Sequence, residues 1–184
     1  MKQFMLAGVS SGVGKTTVTL GILKALADRG YQVQPYKVGP DYIDTAYHSR
    51  ITKRPSRNVD SFMIPDEQSL AWSYYKWHGD ADVAVVEGVM GLFDGLGTDK
   101  DCASSASVAK KLGIPVVLII DGKATSTSAA AMVHGFATFD PDLDIAGVII
   151  NRVASQNHYE LIKGAIERYT DVEVLGYLDR KSVV

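Results

Sequence analysis

The chain has 184 residues, enough for one domain with a full core. Hydrophobic residues make up 46% and charged residues 22%, and a net charge of −2 offers no basic surface for nucleic acid or an anionic membrane. No apolar run approaches the roughly 20 residues that span a bilayer, and a single cysteine, Cys102, excludes an internal disulfide framework. Met1-Lys2-Gln3 runs directly into an apolar stretch, which leaves no room for a signal peptide and leads to the expectation of a cytoplasmic protein.

The first predicted strand, Phe4–Ala7, leads into Gly-Val-Ser-Ser-Gly-Val-Gly-Lys-Thr-Thr, residues Gly8 to Thr17, with a helix opening at Lys15. Strand, glycine-rich turn and helix in that order describe a phosphate-binding loop. Successive backbone N–H groups point into one concavity, and the helix N-terminus adds partial positive charge. Ser11, Gly12, Val13, Gly14, Lys15, Thr16 and Thr17 are therefore expected to hold ATP, with Lys15 on the outer phosphates and the Thr16 hydroxyl on Mg²⁺. The spacing from Gly8 to Gly14 is one residue longer than in the common form of this loop.

The helix continues to Arg29 and stops at Gly30. A second strand, Val33–Val38, carries Lys37 at its carboxyl end, where a second cation would bridge a phosphate and an anionic substrate. Pro40-Asp41-Tyr42-Ile43-Asp44 follows, and a helical turn there would put Asp41 and Asp44 on one face, although Asp near a helix start also serves as a cap. The residues from 39 to 61 otherwise read as irregular. A helix over Glu67–Trp77 follows, and its Trp72, Tyr74, Tyr75 and Trp77 read as packing.

The next strand ends at Val86 and delivers Glu87, where an acid beside a phosphate loop anchors magnesium. Glu87-Gly88-Val89-Met90-Gly91-Leu92-Phe93-Asp94-Gly95 opens a second irregular segment, from 88 to 103, suited to closing over a ligand. Asp94 either positions substrate or metal or shapes a turn with Gly95. A helix over Ser104–Leu112 and a strand over Val116–Ile120 follow, the strand ending at Asp121. Then come a helix over Thr125–Phe139, a strand over Ile145–Ile150 ending at Asn151-Arg152, a helix over Asn157–Tyr169 and a strand over Val172–Leu175. An Asn amide at Asn151 offers donor and acceptor to an adenine edge, or shapes a turn. The four histidines, His48, His78, His134 and His158, show no metal spacing and carry no expectation of chemistry; nor does Cys102.

Short, continuously apolar strands alternating with helices predict an α/β fold, a doubly wound, mostly parallel sheet with its ligand crevice at the carboxyl ends of the strands.

Three of these stretches, the phosphate loop, the residues 37–44 and the residues 87–95, together with Arg54-Pro55-Ser56-Arg57-Asn58-Val59-Asp60-Ser61 and Gly176-Tyr177-Leu178, resemble the cobyrinic acid a,c-diamide synthases. Asp179 stands where members often carry proline. The wider relatives are the dethiobiotin synthetases, so the resemblance implies a phosphate-loop NTPase of that type. It also implies ATP- and Mg²⁺-dependent amidation of the a and c carboxylates of a corrinoid through acyl phosphates. By the same resemblance Lys15, Lys37, Asp41, Asp44, Glu87 and Asp94 serve catalysis and Tyr42 and Ile43 face the substrate. Thr16, Glu87 and Asp60 serve the metal, and Asn151 reads adenine. Members continue into a glutaminase domain, so residues 1–184 are expected to form a single ATP-binding amidoligase domain. Its ammonia would come from a glutaminase domain or subunit outside this chain, and a homodimer is compatible with the family. The same fold serves dethiobiotin-type carboxylation and amidation of another tetrapyrrole such as nickel sirohydrochlorin. A partitioning or switch ATPase is the reading from another class; such proteins often carry an extra lysine early in the loop, where this chain has Ser10.

Overall fold

The computed structural model describes residues 1–181. Its strands are β1 (Lys2–Gly8), β2 (Val33–Val38), β3 (Arg57–Val59), β4 (Val83–Gly91), β5 (Val116–Asp121), β6 (Ile145–Val153) and β7 (Val174–Asp179). Between them lie α1 (Lys15–Asp28), α2 (Tyr42–Thr52), α3 (Glu67–Tyr75), α4 (Ser105–Leu112), α5 (Ser128–Phe139) and α6 (Gln156–Tyr169). The strands form one sheet in the order β3-β2-β4-β1-β5-β6-β7, and every pairing is parallel. This is the α/β architecture expected from the alternation of elements, with β1 at its centre.

The elements differ from the expectation chiefly in four places. Residues 42–52, read as irregular, form α2, because Asp41 caps it: its Oδ1 accepts from the backbone N–H groups of Ile43 and Asp44 at 2.9 and 3.0 Å. Tyr42–Thr52 has no apolar stripe, which hid this helix from a periodicity search, since only Thr45 and His48 are buried on it. Residues 57–59 add an edge strand too short to announce itself. The segment after Val86 also stays in the sheet through Gly91, and Leu92, fully buried, donates its N–H to the Gly8 carbonyl at 2.8 Å. The last strand starts two residues and ends four residues later than its apolar run suggested.

Side-chain alternation along the strands sorts the core into two clusters. One gathers Met5, Tyr36, Val38, Val86 and Leu118 with Leu70 and Tyr74 of α3, Val108 of α4, Val133 of α5 and Ile162 of α6. The other gathers Leu6, Val33, Val83 and Val85 with Val18 and Leu23 of α1, and Ile51 of α2 packs against it. Lys37 follows Tyr36, and Glu87 follows Val86. Both therefore point to the side covered by α1 and α2, and they are direct neighbours in the β2–β4 register. Of the aromatic set on and after α3, Tyr74 is core, whereas Trp72 is exposed under the Lys76 ammonium, 4.3 Å from its ring.

Away from the loop, Asp140 ends α5 as a buried anchor. Its Oδ2 accepts from Lys100 and Lys110, each at 2.7 Å, and its Oδ1 accepts from the Asp142 N–H at 3.1 Å. Burial pushes this carboxyl up, but the two lysines outweigh it and hold it at about 2, below the ordinary 3.8. A depressed carboxyl stabilises the fold above its ordinary value and loses that contribution as the pH falls through 2. Allowing for the water that reaches Lys100, Asp140→Asn should lower the unfolding free energy by about 1 kcal/mol at pH 7. Urea titrations at pH 7, 4 and 2.5 should record a gap from wild type that narrows as the acid takes effect.

Candidate active site

The phosphate loop leaves β1 at Gly8 and enters α1 at Lys15, with Gly14 in the left-handed region at φ 94°. A Cβ at Gly14 would collide with the side-chain amide of Asn151, so glycine is required there by both backbone and space. Asn151 sits at the carboxyl end of β6, buried, and donates its Nδ2 to the Val13 carbonyl at 2.8 Å. Its neighbour Arg152 donates Nη2 to the Gly12 carbonyl at 2.8 Å and pairs through Nη1 with Asp121 at 2.6 Å. The β6 terminus thus clamps the loop from outside. A cavity of about 220 Å³ lies alongside, lined by Gly14, Thr17, Asn151, Arg152, Leu178 and Arg180 among others.

On the inner side of the loop, α1, α2, β2 and β4 bring five polar side chains together. Glu87 is fully buried. Its Oε1 accepts from Thr16 Oγ1 at 2.8 Å and from Lys37 Nζ at 3.1 Å, and its Oε2 lies 2.8 Å from His48 Nε2. Lys37 also reaches Asp44 Oδ2 at 2.9 Å and the Gly88 carbonyl at 3.1 Å, and Thr16 donates to Asp44 Oδ2 at 3.3 Å. Burial pushes the Glu87 carboxyl up; the His48 hydrogen bond, the Lys37 charge and the Thr16 hydroxyl outweigh it and hold the group below its ordinary value. Burial pushes Lys37 down, and the charge of Glu87 with the hydrogen bond to Asp44 more than reverses this. Both groups stay charged, each because the other is there.

Lys15 donates Nζ to the Ser10 carbonyl at 3.3 Å and to the Met90 carbonyl, closing the loop against the end of β4. Met90 presents that carbonyl from a left-handed conformation, φ 49°. Burial, then the charge of Lys37, lowers the Lys15 ammonium, leaving it poised for an anion.

The expected residues separate into groups. Lys15, Thr16, Lys37, Asp44 and Glu87 meet. Lys37 is 4% exposed and tied to two carboxylates. Asp41 and Asp44 do not share a face, since Asp41 is the cap of α2. Asp94 shapes a turn, its Oδ2 accepting from the Gly91 N–H at 2.8 Å, and its charge is felt at Lys15. Asp60 likewise caps its own turn, its Oδ1 accepting from the N–H groups of Phe62 and Met63. Tyr42 and Ile43 stand exposed on the first turn of α2. The residue missed was His48. The signal was its spacing: Asp44 and His48 are four apart, one helical turn, so a helix from Tyr42 presents both to the same neighbour.

Thr16 Oγ1, Glu87 Oε1 and Asp44 Oδ2 are hard oxygen donors in one place, which suits Mg²⁺. That ion takes few protein ligands and completes its shell with phosphate and water. Among the described residues no group of three or more His, Cys, Asp or Glu side chains could hold a metal by itself.

Removing one member of a buried pair strands the other charge. Lys37→Met should therefore lower the unfolding free energy by about 3 kcal/mol at pH 7. Glu87 contributes stability above its ordinary 4.5 and loses it in acid, so denaturation curves should show the deficit of the variant shrinking below that pH.

Residues 4–184 match the family described as the CobQ/CobB/MinD/ParA nucleotide binding domain. The cobyrinate a,c-diamide synthase of Streptococcus sanguinis (strain SK36) is 96% identical over 182 residues, covering 99% of this chain and 40% of its own length. That of Listeria innocua is 64% identical, covering 100% of this chain and 41% of its own length. That of Salmonella typhimurium (strain LT2) is 56% identical, covering 95% and 38%. The chain spans about two fifths of the length of these curated relatives. Among solved structures, the signal recognition particle receptor FtsY from Elizabethkingia anophelis aligns with a TM-score of 0.65 at 17% identity, over 94% of this chain and 57% of that one. The hydrogenase maturation factor HypB from Archaeoglobus fulgidus aligns with a TM-score of 0.60 at 13% identity, over 98% and 82%. These two likenesses speak for the fold alone, that of α/β phosphate-loop NTPases. With loop, sheet and a match over nearly its full length in agreement, the chain belongs to the CobQ/CobB/MinD/ParA nucleotide binding domain family.

Proposed function

We propose that the chain is the single ATP-binding amidoligase domain of a cobyrinate a,c-diamide synthase, a ligase of the dethiobiotin synthetase-like branch acting in cobalamin biosynthesis. The observation that carries this reading is the 96% identity to such a synthase along 99% of the chain. It is supported by a loop and acid cluster whose chemistry suits phosphoryl transfer to a carboxylate. The reading entails a cytoplasmic location, compatible with the absence of any membrane-spanning helix among the described residues.

The a or c carboxylate of the corrinoid attacks the γ-phosphorus of ATP. The bond from that phosphorus to the β,γ-bridging oxygen breaks, leaving an acyl phosphate and ADP. Ammonia then attacks the acyl carbon and loses a proton, and phosphate departs to give the carboxamide. The first step brings one anion up to another, so neutralisation dominates it. Lys15 exchanges its carbonyl partners for the outer phosphates, and the amides of residues 11–17 cradle them. Thr16, Glu87 and Asp44 would hold the magnesium, which supplies charge neutralisation at the phosphates. Lys37 keeps Glu87 and Asp44 ionised and in register rather than meeting the substrate. Tyr42 and Ile43, exposed at the rim, face the macrocycle, and the cavity beside Asn151 takes the base. Asp41, Asp60 and Asp94 act by shaping the turns that carry their neighbours. The ammonia arises by glutamine hydrolysis in a glutaminase domain or subunit outside this chain.

Calorimetry should record magnesium-dependent ATP binding by this chain, and its absence from a folded sample would sink the reading. With the glutaminase domain or subunit present, Asp44→Ala and Glu87→Ala should each lower ATP-dependent amidation of cobyrinic acid by at least about 10²-fold. Rates are read as ADP release together with the mass change of the corrinoid.

A further inference from the structure

Glu87 is expected to serve a magnesium ion through Oε1, yet half of its carboxylate faces the other way, into the protein. Its Oε2 is turned toward α2, where His48, itself fully buried, meets it at 2.8 Å. An ionised carboxylate only accepts, so His48 Nε2 carries the proton of this bond. The other ring nitrogen, Nδ1, stands 3.4 Å from Ser56 Oγ. Ser56 is held in turn: its N–H donates to Ser49 Oγ at 2.8 Å, and Ser49 Oγ donates to the Thr45 carbonyl at 2.7 Å. The imidazole is thus held in place by its own helix and by the approach to β3.

Among the described residues, the other hydrogen bonds to the Glu87 carboxylate are at Oε1, where Thr16 and Lys37 both donate. Without a donor at Oε2, the carboxylate is free to rotate and present either oxygen to Lys37. With one, a single oxygen is turned toward Thr16 and the phosphate loop.

We infer that His48 is a positioning residue, whose Nε2–H bond to Glu87 Oε2 aims Oε1 at the magnesium carried by ATP. The inference rests on the magnesium-ATP reading above and adds to it a side chain that never touches the nucleotide. Partners of this kind, one bond removed from a metal ligand, are worth about 10- to 100-fold in metal affinity.

The test is calorimetric titration of magnesium into the ATP-saturated chain and of ATP into the magnesium-free chain. His48→Ala should weaken the magnesium titration at least about 10-fold and leave metal-free ATP binding unchanged, whereas His48→Gln, which keeps a donor near the Nε2 position, should recover to within about threefold. Equal magnesium affinity in wild type and His48→Ala overturns the inference, as does a parallel loss of metal-free binding or a failure of His48→Gln to recover. A wild type that binds ATP indifferently to magnesium takes down the functional reading as well, which separates the two failures. Should His48→Ala not fold, long-range ¹H–¹⁵N spectra of the wild-type histidines decide. The Nε2–H tautomer, with ring shifts that respond when magnesium joins the ATP complex, supports the inference; the Nδ1–H tautomer or an unresponsive ring overturns it.

Discussion

A carboxylate kept ionised in a dry place is the constraint around which this molecule is arranged. Glu87 is wholly removed from water, in the middle of β4, after four residues, Val83 to Val86, that are all core. Such a charge is tolerated only when its lone pairs are met by donors and its field by a cation. Thr16 brings a donor from α1, His48 one from α2, and Lys37 the cation from β2. Each comes from a different element, so the acid holds together the four pieces of structure that surround the phosphate loop. Its value is geometric: the buried pair adds little net stability, but it excludes every arrangement of these elements that would leave a charge alone.

The parallel sheet makes that arrangement possible. Neighbouring strands in parallel register put Lys37 beside Glu87, and the two-residue period sends both toward the side of α1 and α2. On the opposite face the preceding residues, Tyr36 and Val86, belong to the larger apolar cluster. The transition from core strand to reactive end takes a single residue on each strand.

The outer side of the loop is governed by a second set of contacts, made by side chains of β6 to the loop's own carbonyls. Asn151 and Arg152 bond the carbonyls of Val13 and Gly12, and Gly14 is bare because the Asn151 amide occupies the space a side chain would need. The loop is thus gripped between the ends of β4 and β6, with Lys15 bonded to Met90 on one side and the β6 clamp on the other. A turn rich in glycine has high conformational entropy when free. Fixing it from both sides leaves its N–H groups already arranged for an anion.

Much of this was legible in the chain alone. The alternation of short apolar runs with helix-length segments determined a parallel α/β sheet, because only strands covered on both faces are apolar throughout. The spacing of glycines before Lys15 and Thr16 determined the phosphate loop, and an acid closing an apolar strand marked Glu87, because local geometry and burial constrain those residues directly. The role of residues 39–61 was decided only by tertiary structure. There the helix α2 takes its stability from a cap at Asp41 and from packing against α1 and β2 rather than from an apolar stripe of its own. Its inward His48 therefore showed only a spacing of four from Asp44, which carries meaning only once residues 42–52 are known to be a helix. Lys37 likewise looked like a free cation until the fold placed Asp44 and Glu87 on either side of it. Which charges neutralise one another depends on distances across elements far apart in the chain, and those distances exist only once the sheet has formed.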